Sequence, residues 1–107
     1  MSTTYPRYER KCAKIDGARA FLDRKSFDKH NIISDGVVIY SYGSHFPMAR
    51  HLADGSIAVN ADKYSMTTSH HQSALRGELV RAGYEETAET ADIHNRWAFR
   101  VWRKGAR

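Results

Sequence analysis

At 107 residues, with 41% hydrophobic and 11% aromatic content, the chain has material for one packed core and little room for a second. Charged residues make up 27% with both signs mixed, which argues against a disordered chain, and no apolar run approaches the roughly 20 residues of a membrane span. The net charge of +5 and a pI near 9.6 suit an anionic partner, while a lone cysteine, Cys12, excludes an internal disulfide and a Cys-rich metal knuckle.

The expected organisation is one domain over 1–107, with a basic helical segment at 1–29 and a sheet-and-helix core at 30–107. Met1-Ser2-Thr3-Thr4 lacks the charged and apolar regions of a signal peptide, so the expected place is the cytoplasm, of a host cell if the source is a phage. Charge is unevenly distributed. Residues 1–29 hold eight Lys or Arg against four acids, 84–95 hold four acids and no base, and 96–107 hold five bases and no acid.

In chain order, Pro6 can open a short helix with Tyr8, Cys12 and Ile15 on one face. Asp16 then reads as the N-cap of a second helix near 17–27, with Ala18, Phe21, Leu22 and Lys25 on its stripe, and Gly17 as the break between the two. Asp35-Gly36 and Asp54-Gly55 accept the positive φ angles of tight turns, so each predicts an antiparallel connection. Strands are expected over 37–42, 46–52 and 56–60. Period-two alternation puts Phe46, Met48, Arg50 and Leu52 on one face of the second, with His45, Pro47, Ala49 and His51 on the other; Pro47, lacking an N–H, belongs at an edge or a bulge.

Ser69 and Gln72 have the spacing of a capping box, which predicts a helix over about 70–82 whose apolar face runs His71, Leu75, Leu79 and Ala82, with His71 inward or at the border and His70 turned elsewhere. Gly77 inside it costs about 1 kcal/mol against Ala, a cost that points to something packing closely there. The last strand, 97–103, places Trp97, Phe99 and Val101 on the core side and Arg96, Ala98, Arg100, Trp102 and Lys104 on the other. The fold class is therefore α+β: a small antiparallel sheet of four or five strands, an N-terminal helical segment, and the 70–82 helix packed on the sheet.

Tyr42-Gly43 and the stretch Asn60-Ala61-Asp62-Lys63-Tyr64-Ser65-Met66-Thr67-Thr68-Ser69-His70-His71-Gln72 resemble an uncharacterised domain family common in bacteriophages and mobile elements. The resemblance covers about residues 37–84. It implies a phage-type source and a shared fold core, and it carries no catalytic residue or activity onto this chain.

Three chemistries compete for the polar residues. A metal is disfavoured: His45 and His51 would lie about 20 Å apart on one strand face, and adjacent His70 and His71 diverge by about 100° on a helix. No metal and no cofactor are expected. Thr68, Ser69 and His70 at a helix start form a candidate anion site, against the plainer reading that the hydroxyls cap the helix. Arg96, Arg100, Trp102, Arg103 and Lys104, with Arg107 beyond, combine cations with an indole, which suits nucleic acid or a partner protein; the competing reading buries Trp102.

The expected function is a non-catalytic accessory binding protein of phage type, which acts on nucleic acid or on a host nucleoprotein complex, inhibition of a CRISPR-type defence being one such role. The alternative is a small histidine-dependent enzyme for a phosphate compound, using Tyr64, His70 and Asp62. Convergence of His71 and Asp62 in a cleft favours the enzyme; a filled core there favours the binder.

Overall fold

The computed structural model describes residues 6–41, 46–62, 66–92 and 97–105, with side chains from Ala13 onward. The side chains of Tyr8 and Cys12, and all of Tyr42, Gly43, His45, Lys63, Tyr64, Ser65, Arg96 and Arg107, lie outside these residues. The elements are α1 (Pro6–Leu22), β1 (Ser26–Lys29), β2 (Ile32–Asp35), β3 (Val38–Ser41), β4 (Phe46–His51), β5 (Ile57–Asn60), α2 (Met66–Arg81), β6 (Tyr84–Ala91) and β7 (Phe99–Lys104). They form one antiparallel sheet in the order β1-β2-β3-β4-β5-β7-β6. The sheet thus has seven strands rather than the four or five expected, with β1 and β6 as its edges.

Helix α1 does not break at Gly17. It runs through to Leu22, so Asp16 is an exposed mid-helix residue and not a cap. Gly17 is there for packing: a Cβ on it would sit 2.8 Å from Ile32 Cγ2 and 3.1 Å from the Phe27 ring. The helix ends where Arg24 takes φ of 59°, which lets the Lys25 N–H donate back to the Ala20 carbonyl at 2.8 Å. The chain then reverses direction into β1, which occupies part of the expected second helix. A two-residue turn at His30 and Asn31, with φ of 51° and 65°, joins β1 to β2 and pairs Lys29 with Ile32.

The Asp-Gly turns follow. Asp35 Oδ1 accepts from the Val37 and Val38 N–H groups, and Asp54 Oδ1 from the Ser56 N–H and hydroxyl, so each carboxylate fixes its turn. Between them, β4 carries a bulge. Ile39 pairs with Ala49 and Tyr40 with Pro47, which leaves Met48 as the extra residue. The bulge resets the alternation: Phe46, Met48, Ala49 and His51 are all buried, and Arg50 is only half-buried. The expected facing of Ala49 and His51 opposite Phe46 and Met48 is overturned by this one insertion.

Helix α2 leaves the end of β5 and delivers the chain to β6, which runs parallel to β5 with β7 slotted antiparallel between them. Both helices cover one face of the sheet, over a core of Phe21, Ile32, Ile39, Phe46, Ile57, Val59, Leu75, Leu79 and Trp102. Trp102 pairs with Ile57 on the helix side at 6% exposure, while Phe99 and Val101 face the other way and are also buried, so both faces of β7 are covered. No helix among the described residues is long and apolar enough to cross a membrane.

The two helical glycines should respond in opposite directions. Gly17→Ala should destabilise by about 1–3 kcal/mol through overpacking against Ile32 and Phe27. Gly77→Ala, with nothing of the chain within 4 Å, should stabilise by about 0.5–1 kcal/mol. Urea midpoints of the two variants check this, and a stabilising Gly17→Ala would remove α1 from its place on β1 and β2.

Candidate functional site

The polar residues of the Thr-Thr-Ser-x-His-Gln stretch come together, but inside the protein. Because α2 begins at Met66, residues 68–72 belong to its first turns, and Ser69 is a helical residue and not the N-cap. Thr68, His71 and Gln72 turn inward, Ser69 is half-buried and His70 is exposed. Thr68, Ser69 and His70 therefore point three ways, and the expected anion pocket is not formed by them: successive helical residues diverge by about 100°.

The inward residues tie α2 to the ends of β3 and β5, and through them to β4 and the approach to β7. On β3, Ser41 Oγ lies 3.1 Å from Thr68 Oγ1 and 2.8 Å from His71 Nδ1, and all three residues are buried. At the end of β5, the Gln72 side-chain amide donates to both the Asn60 carbonyl at 3.0 Å and the Asp62 carbonyl at 2.9 Å. Asn60 in turn donates from Nδ2 to the Pro47 carbonyl beside the β4 bulge, and its Oδ1 accepts from the Asp62 N–H. Asp62 Oδ2 accepts from the Ala98 N–H, which brings in the approach to β7.

Burial lowers the His71 pKa to about 4, with the Lys14 and His70 charges adding to the effect. A neutral ring therefore fits the site, accepting at Nδ1 from the Ser41 hydroxyl while Ser41 accepts from Thr68. Ser41 resembles a base-activated nucleophile in distance alone; at 0% exposure its oxygen is spent on the two neighbours. The Asp62 carboxylate bonds the Ala98 N–H while the His71 ring bonds Ser41. A second buried histidine, His51, stacks on Phe21 with centroids 4.4 Å apart and donates from Nε2 to the Phe21 carbonyl at 2.6 Å, closing the last turn of α1. Burial lowers its pKa too. No cluster of three or more His, Cys, Asp or Glu residues among the described ones is placed to hold a metal.

The basic terminal strand is occupied by its neighbours. Arg103 forks onto Glu89, at 2.8 Å and 3.0 Å, and reaches Asp54 at 3.0 Å. This raises the Arg103 pKa, while Asp54 is held at about 2 by the Ser56 hydroxyl and N–H first and by Arg103 after them. Arg100 donates to the Thr87 carbonyl at 3.4 Å, and the exposed Lys104 ammonium lies 5.6 Å over the Tyr84 ring. Trp102 is in the core, as the competing reading had it and against the stacking surface, because it lies beside Ile57 on the face that the helices cover. Arg96 lies outside the described residues.

Sequence reasoning missed the role of Asn60 and of Ser41. The signal was there in part, since an Asn and a Ser at the ends of otherwise apolar strands must satisfy their groups locally.

A model of a family of unknown function, DUF8033, matches residues 8–94. It takes in both helices and the strands up to β6, a wider span than the 37–84 resemblance, and ends before β7. No curated protein and no solved structure matches the chain.

His71 predicts the acid response. A ring with a folded pKa near 4 against an unfolded value near 6.5 resists protonation only when folded, so its contribution is complete above pH 6.5 and is lost as pH falls toward 4. The loss should be on the order of 2–3 kcal/mol, with His51 adding in the same direction. Urea midpoints between pH 7.5 and 4.5 should fall in the wild type and fall less in His71→Asn. A flat wild-type profile would show that His71 is not buried as a neutral ring.

Proposed function

The chain belongs to this family of unknown function, and on that premise we propose that it is a non-catalytic protein that binds nucleic acid, free or within a host nucleoprotein complex. One observation carries the reading: charge is separated along the sheet. Helix α1 lies on β1 and β2, and residues 6–29 of these elements hold eight Lys or Arg against four acids. At the far edge, residues 84–92 of β6 and the turn after it hold Glu85, Glu86, Glu89 and Asp92 and no base. Six strand spacings of about 4.8 Å separate the edges by roughly 29 Å.

A phosphate chain is drawn to the first end and repelled by the second, which gives one-sided binding and a fixed approach. Lys25, Lys29 and Arg24 are exposed at that end. The buried polar network supports a binder over a histidine enzyme, because His71 and Asp62 are committed to different parts of the scaffold. The resemblance to families of phages and mobile elements supports a phage-type source, and with it a role against a host defence system of CRISPR type.

Anisotropy titrations of labelled single-stranded and duplex oligonucleotides at two salt concentrations test this. Lys25→Glu with Lys29→Glu should weaken binding and lower the log-log salt slope by about one unit for each phosphate no longer neutralised. Arg103→Ala should leave the slope unchanged, since that side chain is held by Glu89 and Asp54. Salt-independent binding, or an equal loss from Arg103→Ala, would overturn the placement.

A further inference from the structure

Helix α2 presents an outward stripe that the described residues leave exposed. Met66, His70, Ser73, Gly77 and Val80 follow one another at helical spacing and are all exposed, Met66 at 79% and Val80 at 63%. These two are, with Val37, the exposed large hydrophobic residues among those described. Gly77 lies between them on the stripe. It weakens the helix, and among the described residues outside its own stretch of helix nothing lies within 4 Å of the place its Cβ would take, so packing against them does not account for it. Val80 stands beside an open cleft of about 510 Å³, which Tyr84 and Lys104 also line.

The charges around the stripe are mostly basic, Arg76, Arg81 and Lys104 against Glu85, which shares the cleft with Val80 and Lys104. The acid of α2, Glu78, is buried and held by Arg19 at 2.9 Å, with Arg81 at 3.7 Å. Half-buried Arg76 and exposed Arg81 flank the stripe, and Arg81, although it reaches Glu78, keeps 71% of its side chain in solvent. We infer that this face docks an acidic amphipathic helix of a partner protein, whose apolar row fits over Gly77 between Met66 and Val80 and whose carboxylates meet Arg76 and Arg81. A missing side chain at Gly77 lets a second helix approach closely, and apolar anchors at helical spacing are what a docked helix reads.

Two other occupants fit less well. An antiparallel second copy would set the Arg76 and Arg81 rows, with His70, against their own kind, and like charges at an interface are repulsive. A nucleic acid would gain nothing from Met66 and Val80. The surface is distinct from the basic end of the sheet, and its test does not depend on oligonucleotide binding.

The probe is a labelled helical peptide of about 18 residues, with Leu at i, i+3, i+4 and i+7 and Glu on its flanks, beside a twin with Lys for Glu. The acidic peptide should bind at least about tenfold tighter than its twin. Val80→Ser and Gly77→Leu should each weaken it at least about fivefold without lowering the thermal midpoint, since both positions are solvent-facing. Arg76→Glu with Arg81→Glu should reverse the preference between the twins. Equal affinity for the two peptides, or binding untouched by Gly77→Leu, would overturn the inference. So would sedimentation as a dimer that Val80→Ser dissociates, because the second copy would then be the occupant, and so would competition by an oligonucleotide that Gly77→Leu abolishes.

Discussion

The structure depends on one side chain holding two main-chain carbonyls. Gln72 in α2 carries both hydrogens of its amide nitrogen to the carbonyls of Asn60, the last residue of β5, and of Asp62 just beyond it. A buried carbonyl without a partner costs about 1–3 kcal/mol, so the start of α2 is held where those two groups are. That position sets the crossover from β5 to β6, and the crossover leaves the slot into which β7 inserts. Asn60, Asp62 and Ser41 extend the same bonding to the ends of β4, β7 and β3. Residues that look like an active site in the sequence are therefore the joint between the helix layer and the sheet.

The distribution of charge follows from the same topology. With β7 inside the sheet, its arginines meet the carboxylates of β6 and of the β4–β5 turn, and the basic C-terminal strand is neutralised by its neighbours. Edge strand β6 remains acidic on its outer side and is bent by a register shift between Glu86 and Thr90, both devices that discourage edge pairing. The net positive charge is then expressed at α1, at β1 and on the outer side of α2. Function, on this account, is a matter of which cations the fold leaves without internal partners.

Legibility in the sequence tracks how local the cause is. Asp35-Gly36 and Asp54-Gly55 turn where the dipeptides place them, because Gly36 and Gly55 take φ near 90° that few other residues accept. His30-Asn31 makes the same kind of turn without a glycine, so the sequence pattern carries helix into β1 and the strand count falls short. Gly17 reads as a break, yet its role is set by Ile32 and Phe27, which no local pattern can bring together. The Met48 bulge shifts the facing of β4, and the insertion of β7 beside an edge strand with little apolar alternation puts Trp102 inside. At the candidate site the inward direction of His71 is visible from the helix stripe, whereas Gln72 reads as a capping residue and not as a tie to β5, because helix α2 starts four residues before the expected one.

The direct measurement is the stability of Gln72→Glu against Gln72→Met at pH 7.5. Glutamate keeps the shape, removes both donors and sets a carboxylate against two carbonyls, so it should cost at least about 3 kcal/mol; methionine, leaving the carbonyls unpaired without a charge, should cost about 1–3 kcal/mol. Hydrogen exchange should show the loss first at the start of α2 and along β7. A Gln72→Glu variant within about 0.5 kcal/mol of the wild type, with protection of β7 intact, would contradict the account.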